Sequence, residues 1–205
     1  MRALVYRGPA SLSGCPEAVA SVLASSGFDV RYVGPDEVLA LTEEVLAGAT
    51  VYAQPGGGTL RQGWRRMKRH RRAVRGFVAG GGHYLGFCLG AYLAGATPGF
   101  GLLPGDTDQA LDTEDDTVIE VDWGGTRRAV FAQDPAALEV DDRASVLARY
   151  RDGQVAAAVA PYGAGRVGVV GPHPEATADW FTGAGLTAAP DARDLARDLV
   201  ARTVS

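Results

Sequence analysis

The chain has 205 residues, of which 46% are hydrophobic and 21% charged, and its formal net charge is −4. Such a length suits one sizeable α/β domain over residues 1–205, burying roughly 70% of the surface its unfolded chain exposes, and the mild negative charge gives no electrostatic reason to expect nucleic acid. Two cysteines make no disulfide framework, no run approaches ~18 uninterrupted apolar residues, and no charged n-region opens the chain, so a cytoplasmic protein without a membrane span is expected.

Taken in order, Arg2 to Tyr6 reads as a short apolar strand, and Pro9 to Gly14 as a loop. Pro16 suits the first turn of a helix through Ser26, which Gly27 ends. Phe28 to Val33 is a second strand, and Asp36 is placed to cap a helix reaching Leu46. Ala49 to Ala53 is a third strand, closed by Pro55-Gly56-Gly57-Gly58. Leu60 to Val78 reads as one long helix, followed by a strand over Tyr84 to Phe87 and a helix from Leu89 to Ala94. This strand–helix alternation implies a flavodoxin-like α/β fold, a mainly parallel sheet with helices on both faces, whose active site lies at the carboxyl ends of its strands. The second half changes character. Val118–Val121, Arg128–Phe131, Val146–Tyr150, Val155–Ala160 and Val167–Val170 are closely spaced and suggest added β-hairpins. Asp106 to Asp116 reads as an acidic surface loop and Asp191 to Thr203 as a terminal helix.

The most informative stretch is Gly86-Phe87-Cys88-Leu89-Gly90. It is the cysteine form of the nucleophile elbow, a sharp strand-to-helix turn in which a side chain at either glycine would clash with the neighbouring strand or helix. A helix N-terminus is a favourable setting for a reactive sulfur. A thiol nucleophile needs a base, and the base an orienting group. Gly171-Pro172-His173-Pro174-Glu175 supplies both. In an extended segment His173 and Glu175 point the same way, and Pro174 biases His173 away from helix.

These residues resemble the Cys-His-Glu triad of class I glutamine amidotransferases. The wider pattern is more similar to the N-terminal domain of biotin protein ligases and its free-standing bacterial relatives. That pattern includes Ala3 to Pro9, Gln54 to Gly58, Tyr84 to Tyr92 and Ala156 to Glu175. The resemblance implies thiol chemistry on a small-molecule amide substrate, without a cofactor, with Cys88 as nucleophile, His173 as base and Glu175 orienting it. It also implies an oxyanion site of backbone N–H groups from Gly57, Gly56 and Leu89, with Gly58 and Tyr92 near the substrate. Amidotransferases carry glutamine at the position of Tyr92, whereas the biotin-ligase-like relatives have an aromatic there. Since neither a synthetase nor a ligase region is present, a synthetase or other protein partner is implied and biotin transfer is not.

Two other readings are open: a binding or regulatory module that keeps the elbow without turnover, and a redox or stress-protective cysteine protein. The latter often has His directly after the nucleophile, where this chain has Leu89. Eight of the twenty basic residues lie in Arg61, Arg65, Arg66, Lys68, Arg69, Arg71, Arg72 and Arg75. Leu60, Trp64, Met67 and Val74 recur among them at helical spacing, so they read as the solvated face of an amphipathic helix. Cys15 reads as a small buried residue, and the scattered histidines and cysteines suggest no metal site.

Overall fold

Successive strand residues face opposite sides of a sheet. In β1 (Arg2–Tyr6), Ala3 and Val5 belong to one buried cluster and Leu4 and Tyr6 to the other. β3 (Val51–Gln54) and β4 (His83–Phe87) repeat this pattern, with Val51, Ala53, Leu85 and Phe87 on one face and Tyr52 and Tyr84 on the other. Strands apolar on both faces need a cover on each side, and the computed structural model, which describes residues 1–205, supplies it. On one face lie α1 (Cys15–Ser25) and α7 (Arg193–Val204). On the other lie α2 (Glu43–Ala47), α3 (Leu60–Met67), α4 (Arg71–Ala79) and α5 (Leu89–Ala94). Each fully buried Leu, Val or Phe contributes on the order of 1.5–3 kcal/mol.

The sheet has eleven strands. Its main path starts with β2 (Asp29–Val33), then β1, β3, β4 and β11 (Gly165–Val170). It continues through β10 (Val155–Tyr162), β9 (Ser145–Tyr150), β6 (Thr117–Trp123) and β7 (Thr126–Ala132). A side branch pairs β5 (Gly105–Gln109) with β8 (Ala136–Val140), and β8 in turn with β10. No helix is long and apolar enough to cross a membrane.

The expectation of a mainly parallel sheet is corrected. The β1–β2, β1–β3, β3–β4 and β4–β11 pairings are parallel, and every other pairing is antiparallel. Helical crossovers stop after α5, and from β6 to β11 consecutive strands are joined by short turns. Gly124 and Gly125 turn between β6 and β7 at φ 57 and 87, the left-handed backbone of a two-residue hairpin.

Three local expectations also change. Asp36 caps no helix; α2 begins after Thr42, whose hydroxyl accepts from the Val45 N–H, with Glu43 and Glu44 at its positive end. The expected helix from Leu60 to Val78 is interrupted by a 3₁₀ turn at Lys68–His70. Like charges four apart, such as Arg61, Arg65 and Arg69, weaken it there, and beyond the bend the Arg75 guanidinium donates to the Phe100 and Gly101 carbonyls at 2.7 and 2.6 Å. The segment read as an acidic loop begins as β5, and the loop starts only after Gln109.

Candidate active site

Three parallel strands end together, and register is the reason. Gln54 of β3 pairs with Gly86 of β4, and Phe87 of β4 pairs with Val170 of β11. The Pro55–Gly58 loop, Cys88 and the Gly171–Glu175 segment therefore leave the sheet at one edge, the carboxyl edge where α/β sheets bind ligands. The Cys88 N–H donates to the Val170 carbonyl at 3.0 Å and ties two of these exits together.

Cys88 stands between β4 and α5 at φ 49, ψ −106. That left-handed conformation costs a non-glycine residue about 1–3 kcal/mol. The two glycines around it permit the turn. A Cβ on Gly86 would lie 2.4 Å from the Gly90 carbonyl oxygen, and one on Gly90 would lie 2.0 Å from that of Gln54. The Tyr84 hydroxyl donates to the Gly90 carbonyl at 2.7 Å and braces the first turn of α5. Cys88 is 6% exposed, and its sulfur donates to the Gln133 carbonyl oxygen at 3.6 Å.

His173 is held on every side. Its N–H donates to the Phe131 carbonyl at 2.8 Å, in a single bridge to β7. Its ring meets Phe131 and Trp180 edge-on, with centroids 6.0 and 5.2 Å away. Trp180 comes from α6 (Ala178–Gly183), an element the sequence did not disclose. His173 Nδ1 lies 2.8 Å from Glu175 Oε1, which leaves Nε2 as the free ring nitrogen. The expected extended geometry is replaced by a turn, in which the Ala176 N–H donates to the His173 carbonyl; the pair still meets because the turn folds Glu175 back. Glu175 is wholly buried and its second oxygen has no hydrogen-bond partner. Burial works against the imidazolium, yet the Cys88 sulfur and the Glu175 carboxylate outweigh it and hold His173 well above the usual histidine range.

The glycine loop closes the other side. A Cβ on Gly56 would strike His173 Cε1 at 2.6 Å, and one on Gly57 would strike the Leu89 side chain at 2.5 Å. The Gly56 and Gly57 N–H groups donate to no protein acceptor. Leu89 is the first residue of α5, where the helix offers its N–H no partner. Gly57, Gly58, Cys88, Leu89 and Tyr92 all line one cavity of about 230 Å³. Tyr92 points its hydroxyl at the Pro135 carbonyl, 3.2 Å away, and at Asp134, 3.4 Å away.

Sequence reasoning missed Asp134 and Glu114 as neighbours, and read Cys15 as a small buried residue, which it is, with a second reactive thiol near the sheet's ligand edge as the lesser alternative. Cys15 is beside the site, since its sulfur would be 3.3 Å from that same Cβ on Gly56. Its place at the start of a helix after a sheet-edge loop was the available signal. Asp134 and Glu114 reach the cavity from distant loops and left no signal beyond Asp-Pro turn chemistry at Asp134-Pro135. His83, by contrast, opens β4 at the far end of the strand, away from Cys88. No group of three or more His, Cys, Asp or Glu is placed to hold a metal ion.

Both cysteines are buried, but burial above all, then the charges of Glu175 and Cys88, push the Cys15 thiol up. Competitive alkylation of the native protein at neutral pH, read by peptide mass, is expected to label Cys88 at least about tenfold faster than Cys15. Equal rates would remove the case for a special environment at Cys88.

Residues 1–114, more than half of the chain, match the family described as biotin-protein ligase, N terminal. The chain belongs to the biotin-protein ligase N-terminal family. No curated protein matches the sequence. Among solved structures, this family member is similar to a glutamine amidotransferase from Thermotoga maritima. The two are 15% identical with a TM-score of 0.69, over 100% of this chain and 98% of that one. It is also similar to a protein described as a GMP synthase subunit from Thermoplasma acidophilum, 16% identical with a TM-score of 0.67, over 98% of this chain and 93% of that one. A β-galactosidase from Bacillus circulans sp. alkalophilus shares the architecture at 16% identity and a TM-score of 0.55, over 99% of this chain but 30% of that one. At these identities the likeness concerns the fold. It is a mixed α/β fold, similar to that of these two structures.

Proposed function

We propose that residues 1–205 form one domain, flavodoxin-like in its parallel half, that cleaves or transfers an amide through a thiol acyl-enzyme. The observation that carries this reading is the buried His173–Glu175 pair, 2.8 Å apart, at the sheet edge that also bears Cys88 in a left-handed turn. Cys88 Sγ, its proton already passed to His173 Nε2, attacks the amide carbonyl carbon. The oxyanion that forms accepts from the Gly57 and Leu89 N–H groups, with Gly56 alongside. The C–N bond then breaks, and His173 gives its proton to the leaving nitrogen. Water, or an acceptor nucleophile, then attacks the thioester carbonyl while His173 Nε2 takes its proton, and the C–S bond breaks to release the acid or transferred product and restore the Cys88–His173 pair. Glu175 keeps the imidazole oriented and stabilises its charged form.

Tyr92 argues against free glutamine as the preferred substrate. Its ring occupies the cavity wall and its hydroxyl is spent on Pro135 and Asp134. A site that does not hydrogen-bond the substrate's polar groups loses several kcal/mol against one that does. Ammonia release from glutamine is expected to stay far below the ~10 s⁻¹ typical of enzymes, in the unmodified protein and in Tyr92→Gln alike. Intact mass after incubation with a glutamine-like diazoketone tests the nucleophile directly, an adduct on Cys88 being expected. Fast ammonia release would restore a conventional glutaminase. The relative from Thermoplasma acidophilum is by its description one subunit of a synthase, and on that analogy a partner protein would receive the product here.

A binding module without turnover is the second reading. It is favoured by one observation, the Cys88 sulfur resting on the Gln133 carbonyl oxygen. A Cys88 inert both to the diazoketone and to a small uncharged thiol reagent decides for it.

A further inference from the structure

The cavity beside Cys88 is lined by two unlike sets of groups. One is the unpartnered N–H groups of Gly57 and Leu89, where a developing negative charge is stabilised. The other is a pair of acidic residues, Asp134, part-buried, and Glu114, exposed. Neither carboxylate makes an ion pair with any arginine, lysine or histidine of the chain. No basic side chain lines the cavity at all. Asp134 is fixed in place, because it adopts φ 42 and its Oδ1 accepts from the Tyr92 hydroxyl. The neighbouring Gln133 carbonyl contacts the Cys88 sulfur, so the turn that aims Asp134 also touches the proposed nucleophile.

From this division of charge we infer that the substrate is a small, net-cationic amide or ester, whose ammonium or guanidinium group binds between Asp134 and Glu114 while its carbonyl faces Cys88. The inference rests on the acyl-enzyme reading and names its substrate class. At about 230 Å³ the cavity holds roughly the volume of eight liquid waters, enough for a short amine-bearing side chain and little more. Free glutamine suits it poorly, since its α-carboxylate would be brought toward two like charges. Burial, then the charge of Glu114, holds the Asp134 carboxyl above its ordinary range, as expected where acids gather without a counter-ion.

Charged methanethiosulfonates test this without requiring turnover. The Cys88 thiolate attacks the sulfenyl sulfur, a mixed disulfide forms, and methanesulfinate leaves. Rates at Cys88, read by peptide mass, are measured with trimethylammonium-ethyl, neutral ethyl and sulfonato-ethyl reagents and normalised to a free small thiol. The cationic reagent is expected to exceed the anionic one by at least about tenfold, and the ratio to fall to within about threefold in D134N/E114Q. Asparagine tolerates the left-handed backbone at position 134. The second arm compares p-nitrophenyl esters of N-blocked lysine, norleucine and glutamate, with the lysine ester expected to turn over fastest. A ratio near that of the free thiol, or one unchanged in the double variant, overturns the inference. A charge preference without hydrolysis of any ester supports the cationic site and overturns only the acyl-enzyme reading. A Cys88 that reacts with none of the three reagents overturns both.

Discussion

His173→Ala is expected to slow acylation of Cys88 by an activated ester about 10²- to 10⁴-fold, the range that a positioned general base supplies. The imidazole is 4% exposed, bridged to β7 through its backbone, wedged between Phe131 and Trp180, and hydrogen-bonded to Glu175 through Nδ1. Such a ring offers Nε2 in one orientation. Alanine leaves Glu175 buried with neither oxygen partnered, so His173→Gln should accompany it to separate lost chemistry from lost stability. The pH dependence of stability has a definite sign. Folding raises the His173 pKa, so the folded state binds this proton more tightly than the unfolded chain. That contribution is fully present below the ordinary histidine value of about 6.5 and is lost as pH rises through the higher folded value. Thermal melts should therefore show the margin of the unmodified protein over His173→Gln shrinking toward alkaline pH. Acylation rates within threefold of the unmodified protein in both variants would remove His173 from the mechanism.

Gly90→Ala is expected to destabilise the fold by more than about 3 kcal/mol, the scale of overpacking against atoms that cannot move. The new Cβ would sit 2.0 Å from the Gln54 carbonyl oxygen and 3.0 Å from its carbon. Both are backbone atoms of β3, itself hydrogen-bonded to β1 and β4, so the obstruction cannot swing aside. For a chain of this size such a change lowers Tm by roughly 6–12 °C or more. Gly76→Ala is the matched control. It lies in α4 with nothing within 4 Å of the added carbon, and alanine there should be neutral or stabilising by up to ~1 kcal/mol. A Gly90→Ala protein melting within 2 °C of the unmodified one would contradict the close β3–α5 packing on which the site depends.

Much of this was legible in the residue order, because local rules decide it. Alternating burial in Arg2–Tyr6 and Val51–Gln54 follows from which residues are apolar. The Gly86–Gly90 spacing announces a crowded turn, since only glycine allows the approaches seen there. His173 and Glu175 meet because they are two residues apart, whether the backbone between them is extended or turned. Where the chain pairs with itself at long range, the order was silent. The antiparallel half of the sheet reflects hairpin turns and pairings such as β5 with β8, which local propensity does not rank against parallel alternatives. The helix broken at Lys68–His70 follows from like-charge repulsion together with carbonyl acceptors some 25 residues away. The surroundings of Cys88 and His173 depended most on tertiary structure. Cys15, Glu114, Asp134 and Trp180 come from four separated segments, and their nearness to Cys88 and His173 arises only when strand register brings the chain exits to one edge. The residue order by itself determined the α/β layering and the Cys88, His173 and Glu175 candidates, which rest on short-range sterics. The charge that surrounds them was decided by the tertiary structure alone, because it sums over side chains that the sequence keeps far apart.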